Sequence, residues 1–292
     1  STDISQAHIN QRAALVVNVH HTDIKRGDYL FPVENKNLQH LDRFDASLRM
    51  SKNNDSGIET NHRYHLYLGA SHRVARVRHL GADFYQISYE EALSVHHGDR
   101  LILRDPSATA TIAGGFVIDI SVPKRNRASP ERLRALAINR LNDSDALIDL
   151  IHEEPTGLNV KMFTENRNLT HAGFENLLTE TMDPSKPFIT LKDRSLGNIL
   201  LDKKKYNDYK IWIEEHIALH HKENPSEEGL TMTNLLTHYP IKFTEDFWST
   251  LLSTIALEAL YSLRAGRLNL QDTKQFVIQC LLNSSKLSNP YY

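Results

Sequence analysis

The sequence predicts a mixed chain: a front half of short antiparallel strands that close as a barrel or sandwich, and a back half of helices and hairpins. Three observations point there. Apolar residues alternate with period two before Pro123, and they recur three and four apart after it. Seven of the 12 glycines (27, 57, 69, 81, 98, 114 and 115) lie in the front half, mostly between the alternating runs. Alternation of Val, Ile and Tyr gives a strand one core face and one solvent face, and glycine supplies the turns between strands. The runs are residues 12–19, 64–68, 73–78, 100–104 and 116–120.

Behind Pro123 the spacing is helical. Leu133, Leu136, Leu141, Leu147, Ile148 and Ile151 follow it, and Pro130 suits a first helical position. Residues 170–178 align with 244–252, placing Thr170 on Thr244, Leu177 on Leu251 and Leu178 on Leu252, which reads as an internal repeat. Each copy continues into a hairpin pattern. The first has strands at 188–191 and 198–201 around a polar turn at 192–197; the second has strands at 260–263 and 267–270 around 264–266. Three helices followed by a two-stranded wing is the winged-helix plan. In the second copy the helices are expected at about 206–222, 231–239 and 244–259, with Thr244 as N-cap. Residues 272–287 read as the first helix of a third, truncated unit.

Composition limits the function classes. The chain of 292 residues is long enough for two to three domains, and its 40% hydrophobic and 24% charged residues exclude a disordered chain. Lys plus Arg number 34 against 36 Asp plus Glu, so any nucleic-acid role must rest on local patches. A single cysteine, Cys280, excludes an internal disulfide framework and four-cysteine zinc sites; its apolar surroundings suggest a buried thiol. With no membrane-length apolar run and no signal-peptide pattern, the expected location is cytoplasmic, with no membrane partner.

Catalytic motifs are missing. No phosphate-binding loop, Gly-x-Gly-x-x-Gly or Gly-x-Ser-x-Gly elbow occurs, so the chain is not expected to be an enzyme or to hold a nucleotide or metal. His216 and His220 have the spacing a metal accepts, but Ile217 stands where a zinc protease has its glutamate. The pairs His20-His21 and His96-His97 read as surface or turn histidines.

Charge is concentrated locally. Residues 60–82 contain no Asp or Glu, yet hold Arg63, Arg73, Arg76, Arg78 and four histidines (62, 65, 72 and 79). On a strand, Val74, Arg76 and Arg78 share one face and Arg73, Ala75, Val77 and His79 the other. Arginines aligned on a sheet face can straddle a phosphate backbone, or they can be a solvated face balanced by acids on a neighbouring strand. A second cluster at the junction joins Lys124, Arg125 and Arg127 to Arg132 and Arg134, as a linker or a phosphate contact. The first winged helix offers Asn166, Arg167, His171, Lys192 and Arg194, and the second offers Arg264 and Arg267 beside Glu245 and Asp246. Neither set is strongly basic, so these units serve either as RNA contacts or as spacers.

Residues 98–115, ending in Pro123-Lys-Arg-Asn-Arg127, resemble the third domain of the selenocysteine-specific elongation factor family, SelB. Asn10-Gln-Arg-Ala-Ala-Leu15 and Ile24-Lys-Arg-Gly-Asp-Tyr-Leu30 look like the last strands of that family's second, elongation-factor-Tu-like barrel. The resemblance implies a piece without the GTPase domain: the end of a second barrel at 1–33, an elongation-factor-Tu domain 3-like antiparallel β-barrel at 40–122, winged helices at 126–202 and 203–270, and the start of a third at 271–292. The implied partners are selenocysteinyl-tRNA, the ribosome and, through a further winged helix, the hairpin of selenoprotein mRNA. GTP and magnesium are implied only for the upstream domain. Arg12 falls on the arginine of the family's Gly-Gln-Arg motif, although Asn10 replaces the glycine. That arginine lines the aminoacyl pocket, where a fixed guanidinium favours an ionised selenol over a serine hydroxyl. Arg104, Asp105, Thr111, Gly114 and Gly115 match the family's tRNA-stem loop, with Arg73, Arg76 and Arg78 as further tRNA contacts and Lys124, Arg125 and Arg127 as possible RNA contacts. Arg104 and Asp105 can also pair with each other or cap a turn. The alternative class is a winged-helix transcription regulator with a β-sensor domain, which calls for a base-reading helix rich in Arg, Asn and Gln.

Overall fold

A computed structural model describes residues 6–8, 11, 13–20, 23–31, 40–52, 57–123, 125–193, 197–223, 237–241 and 243–264. Six strands form the front unit: β1 (His40–Met50), β2 (Arg63–Leu68), β3 (Ser71–Gly81), β4 (Phe84–Ser94), β5 (Arg100–Arg104) and β6 (Thr111–Asp119). They close as a barrel in the order β1-β4-β3-β2-β5-β6, with β6 returning to β1 and every pair antiparallel. Closure leaves no unpaired edge. Phe44, Leu66, Val77, Ile87, Leu103 and Val117, one from each strand, are fully buried inside. The alternation is visible on β2, where Tyr64, Leu66 and Leu68 point in and Arg63 out. Gly69 and Gly81 take positive φ in the turns flanking β3, a backbone region that L side chains avoid.

Two corrections concern strands. Residues 13–19 read as a strand but have no ladder partner among the described residues, and Leu15, Val16 and Val19 are exposed. A lone extended segment cannot satisfy its backbone, so alternation there does not become a strand. Conversely, β1 and β4 were not read, because Asp42, Arg43, Asp45, Gln86 and Glu90 interrupt their apolar residues.

Helices α1 (Pro130–Asn139) and α2 (Asp143–His152) follow, with Ser129 and Asn142 capping their N-termini and Pro130 in the first turn of α1. Next come β7 (Leu158–Asn159), α3 (Val160–Asn166), α4 (His171–Thr181), β8 (Phe188–Asp193) and β9 (Gly197–Asp202). Strand β9 lies between β7 and β8, so α2, β7, α3, α4 and the β8/β9 hairpin have a connectivity consistent with a winged helix. Its core gathers Leu147, Ile151, Phe163, Phe174 and Leu200.

Beyond it lie α5 (Lys203–Glu223) and α6 (Glu245–Arg264). The same wing sheet serves both cores: Leu200 packs on α2 to α4, while Leu191, Ile199 and Leu201 pack with Tyr209, Ile213, Trp248 and Leu251. The repeat is visible in its caps. The Thr170 hydroxyl accepts from Gly173 N (3.1 Å) and the Thr244 hydroxyl from Phe247 N (3.3 Å), with buried Phe174 and Trp248 at matching positions. Residues 260–263, expected as a strand, lie instead in α6. Their sequence, Leu-Tyr-Ser-Leu, continues a helical spacing from Ile255 and Ala256 with no glycine or proline before Gly266. Most of the second wing, the expected 231–236 helix start, Cys280 and the third unit fall outside the described residues.

Candidate nucleic-acid interface

The barrel wall has two contrasting outer faces. One is covered. Helix α1 lies on it, with Leu133 and Leu136 packed on Leu80, Phe84 and Ile118. Beneath it Arg132 donates from Nη1 to Asp119 at 2.6 Å and from Nη2 to Asp45. Gln86 donates to Asp45 (3.2 Å) and accepts from Arg127 Nη1 (2.9 Å). Burial pushes the Asp45 carboxyl above its ordinary value, while Arg132 and Gln86 pull it back.

The first winged helix docks beside this cluster. Asn166, at the end of α3, accepts from Ile120 N (3.2 Å) and donates to Ile118 O (3.3 Å), so its amide extends the end of β6 as another strand would. His97 donates its backbone N–H to Asn166 O (2.9 Å), and its Nε2 lies 2.8 Å from Asn139 O. A carbonyl only accepts, so that nitrogen carries the proton. Burial first, then Arg167, lowers the His97 pKa. Arg167 is itself occupied, by Asp143 (2.8 Å) and Asn139, with its guanidinium 4.5 Å from the Phe163 ring centroid.

These positions correct the sequence reading. His96 is buried and His97 partly so, in a turn that faces the helices rather than solvent. Asn166 and Arg167, read as nucleic-acid contacts, hold the joint. Arg127 latches to Gln86, whereas Arg125 is exposed. Lys124, Arg194 and Arg12 fall outside the described residues.

The other face, across β5, β2 and β3, is open. Register places Arg63 opposite Arg76, His65 opposite Val74 and Arg104, and Tyr67 opposite His72 and Ile102. Rings stack along it: Tyr67 on His72 at 4.7 Å and His72 on His65 at 5.0 Å, with His65 Nδ1 and His72 Nε2 2.8 Å apart. Burial, then His65 and Arg73, lowers the His72 pKa. Val74 and Ile102 are 48% and 47% exposed. Among the described residues Arg63, Arg76 and Arg78 make no ion pair, whereas Arg73 lies 3.3 Å from Glu91. Arg63, Arg73 and Arg76 line a depression of about 600 Å³ that Asp42, Glu90 and Glu91 close on its β1/β4 side. Guanidinium groups beside stacked rings and apolar side chains are what a nucleic-acid strand requires of a sheet.

The loop between β5 and β6 borders this face. Asp105 organises it, accepting from Ala110 N (2.7 Å), Thr109 Oγ1 (3.0 Å) and Ser107 Oγ, and these bonds hold its carboxyl well below its ordinary value. Arg104 donates to Thr109 O (3.2 Å) rather than pairing with Asp105. Thr111 is exposed at the start of β6. Gly114 and Gly115 lie inside β6 rather than in the loop, and a Cβ on Gly115 would collide with the Ser47 carbonyl oxygen. Gly115 therefore serves the close approach of β1. Sequence reasoning placed Arg63 and His65 in the basic window but missed Tyr67 and the alignment of all three beside β3; the two-residue turn after Leu68, which sets the β2/β3 register, was the available signal.

With this geometry in view, a family model described as "Selenocysteine-specific elongation factor, beta-barrel domain" matches residues 45–124. Over those residues the barrel is similar to the barrel domain of selenocysteine-specific elongation factors. The Escherichia coli (strain K12) factor is 34% identical over 116 residues, covering 40% of this chain and 19% of the relative. The Haemophilus influenzae (strain ATCC 51907 / DSM 11121 / KW20 / Rd) factor is 28% identical over 192 residues, covering 62% and 30%. The aligned part is thus less than a third of each relative's length. The crystal structure of a bacterial selenocysteine-specific elongation factor, EF-Sec, superposes with a TM-score of 0.50 at 14% identity, over 92% of this chain and 45% of that one. That likeness supports the fold of barrel plus helical extension. Among the described residues, no helix is long and apolar enough to cross a membrane, and no cluster of His, Cys, Asp and Glu could hold a metal ion.

Proposed function

We propose that the chain is the tRNA-binding and arm-forming part of a selenocysteine-specific elongation factor, which brings selenocysteinyl-tRNA to the ribosome at recoded UGA codons. The observation that carries this reading is the family match over residues 45–124, on a barrel whose open face presents Arg63, Arg76 and Arg78 without carboxylate partners. In this reading the β5/β2/β3 face, with Arg73 at its margin, meets RNA stems. Arg104, Asp105 and Thr111 shape the bordering loop, Gly114 and Gly115 hold the strand behind it, and Lys124, Arg125 and Arg127 extend the basic surface at the junction. Arg12 pairs with the selenolate. In this reading GTP and magnesium belong to an upstream domain of the longer factor, the hairpin of selenoprotein mRNA belongs to a further winged helix, and this chain alone is not expected to hydrolyse GTP.

The geometry of α4 argues against the transcription-regulator alternative. That helix would read bases in a DNA-binding winged helix, yet it exposes Glu175 and Glu180 and offers no arginine. The test uses the factor with its GTP-binding domain, in the GTP state, comparing affinity for selenocysteinyl-tRNA and seryl-tRNA in wild type and Arg12→Ala. Discrimination in the wild type that collapses in the variant is expected. Binding of neither tRNA by the wild type would overturn the proposal.

A further inference from the structure

Where α1, the end of β6 and the turn between α2 and β7 meet, a crevice of about 230 Å³ opens beside α3. Leu150, Met162 and Phe163 give it an apolar wall, and Met162 is 47% exposed. Asp119, Glu154 and Arg132 supply its charged groups. The turn is held from behind. Gly157 N donates to Glu154 O (3.0 Å), Lys205 Nζ donates to the same oxygen (3.1 Å), and the Tyr209 hydroxyl donates to Pro155 O (2.7 Å). The crevice is therefore shaped by the protein's own bonds.

Its charge does not balance. Arg132 is shared by Asp45 and Asp119, and Glu154 is paired with Arg134 (3.1 Å), which sets three carboxylates against two guanidiniums. Lys205 does not make up the difference, because Glu153 and Asp202 act on it as well as Glu154. The imbalance extends beyond the crevice. Residues 141–202 carry 11 Asp and Glu against 5 Lys and Arg, whereas the whole chain carries 36 against 34. Such a surface repels a phosphate backbone and is completed by a cation. Size narrows the ligand further. The crevice is smaller than the roughly 300–1,000 Å³ of a small-molecule pocket, and it suits one long side chain. Lys and Arg lay an apolar stem along apolar groups while the charged head reaches a carboxylate.

We infer that the first winged helix docks a basic polypeptide, which inserts one Lys or Arg side chain into this crevice, its stem against Leu150, Met162 and Phe163 and its head at Glu154. The partner is a protein, so this surface is separate from the open face of the barrel and does not depend on that face's role. Asp119 belongs to the barrel and Met162 to α3, so the inserted side chain bridges the two units.

The experiment follows the methionine methyl resonances of the full 292-residue chain while an acetylated, amidated hexapeptide of alternating lysine and arginine is added. The Met162 methyl is expected to shift, and the Met50 methyl, at the end of β1 away from Asp45, to stay. Glu154→Gln should weaken binding about tenfold, as loss of a charged hydrogen bond does. Met162→Ala, a change at a half-exposed position, should weaken it about threefold through lost apolar contact. Glu180→Gln, at an exposed glutamate on α4, is the control for diffuse charge and should stay within about twofold of wild type. An unshifted Met162 methyl, or equal weakening by Glu180→Gln, would overturn the inference. Equal binding of a peptide with citrulline and norleucine in place of its cations would overturn it as well. A shift of the Met162 methyl on adding unacylated selenocysteine tRNA alone would assign the crevice to RNA and overturn the protein partner.

Discussion

The two outer faces of the barrel carry the same residue type to opposite ends. On the covered face Arg132 is buried between Asp45 and Asp119, and on the open face Arg63 and Arg76 are exposed and form no ion pair among the described residues. An arginine becomes structural or available according to what the neighbouring strands and helices bring to it. Here α1 brings Arg132 onto Asp45 of β1 and Asp119 at the end of β6, and among the described residues Arg63 and Arg76 meet no such pair. Local basic charge in a sequence therefore marks a candidate surface, and tertiary pairing decides which part of it is free to bind.

The largest effect is expected on the covered face. Arg132→Ala leaves two buried carboxylates without their cation and is expected to cost about 3–5 kcal/mol in urea unfolding. Arg63→Ala should stay within about 0.5 kcal/mol of wild type, as surface changes do. Equal costs for the two would erase the distinction between the faces. Gly115→Ala comes next, since its methyl group meets the Ser47 carbonyl and β1 must shift; a loss of about 1–3 kcal/mol is expected from the same unfolding curves.

The joint between barrel and helices also responds to pH. His97 is held neutral by burial and by Arg167, so its folded-state pKa lies below the ordinary value of 6.5. Between these two values the unfolded chain binds the extra proton, so stability is present above pH 6.5 and is lost as pH falls through that value towards the folded pKa. Stability measured from pH 7.5 to 5.5 should decline in wild type and decline less in His97→Gln. A parallel decline in both would assign the effect to other groups. The smallest expected effect is local. Asp105, depressed by Ser107 and the Ala110 amide, keeps its loop tied above the ordinary carboxylate value of 3.8 and releases it as pH falls through its lowered pKa. The Ala110 amide resonance should therefore titrate below that ordinary value, and titration at or above it would contradict the loop geometry.

Much of this was legible from residue order, for reasons that differ by region. Strands β2, β3 and β5 alternate cleanly because one face meets the core and the other water. Strands β1 and β4 escaped notice because their outward positions hold Asp45 and Gln86, polar residues buried under α1 that resemble a loop until their partners are seen. The end of α6 read as a strand because a short apolar run has no period of its own. The basic window at 60–82 was visible. Which of the chain's arginines are held in the fold was not, because the partners of Arg132, Arg127 and Arg167 lie 13 to 87 residues away along the chain.

On the proposed function, the Arg63 and Arg76 side chains bind RNA and contribute little to stability. The double variant Arg63→Ala/Arg76→Ala tests both halves at once, through its urea midpoint and its affinity for selenocysteine tRNA over a salt series. The account predicts an unchanged midpoint with weakened binding and a salt slope lower by about two. A lowered midpoint, or affinity equal to wild type, would contradict it.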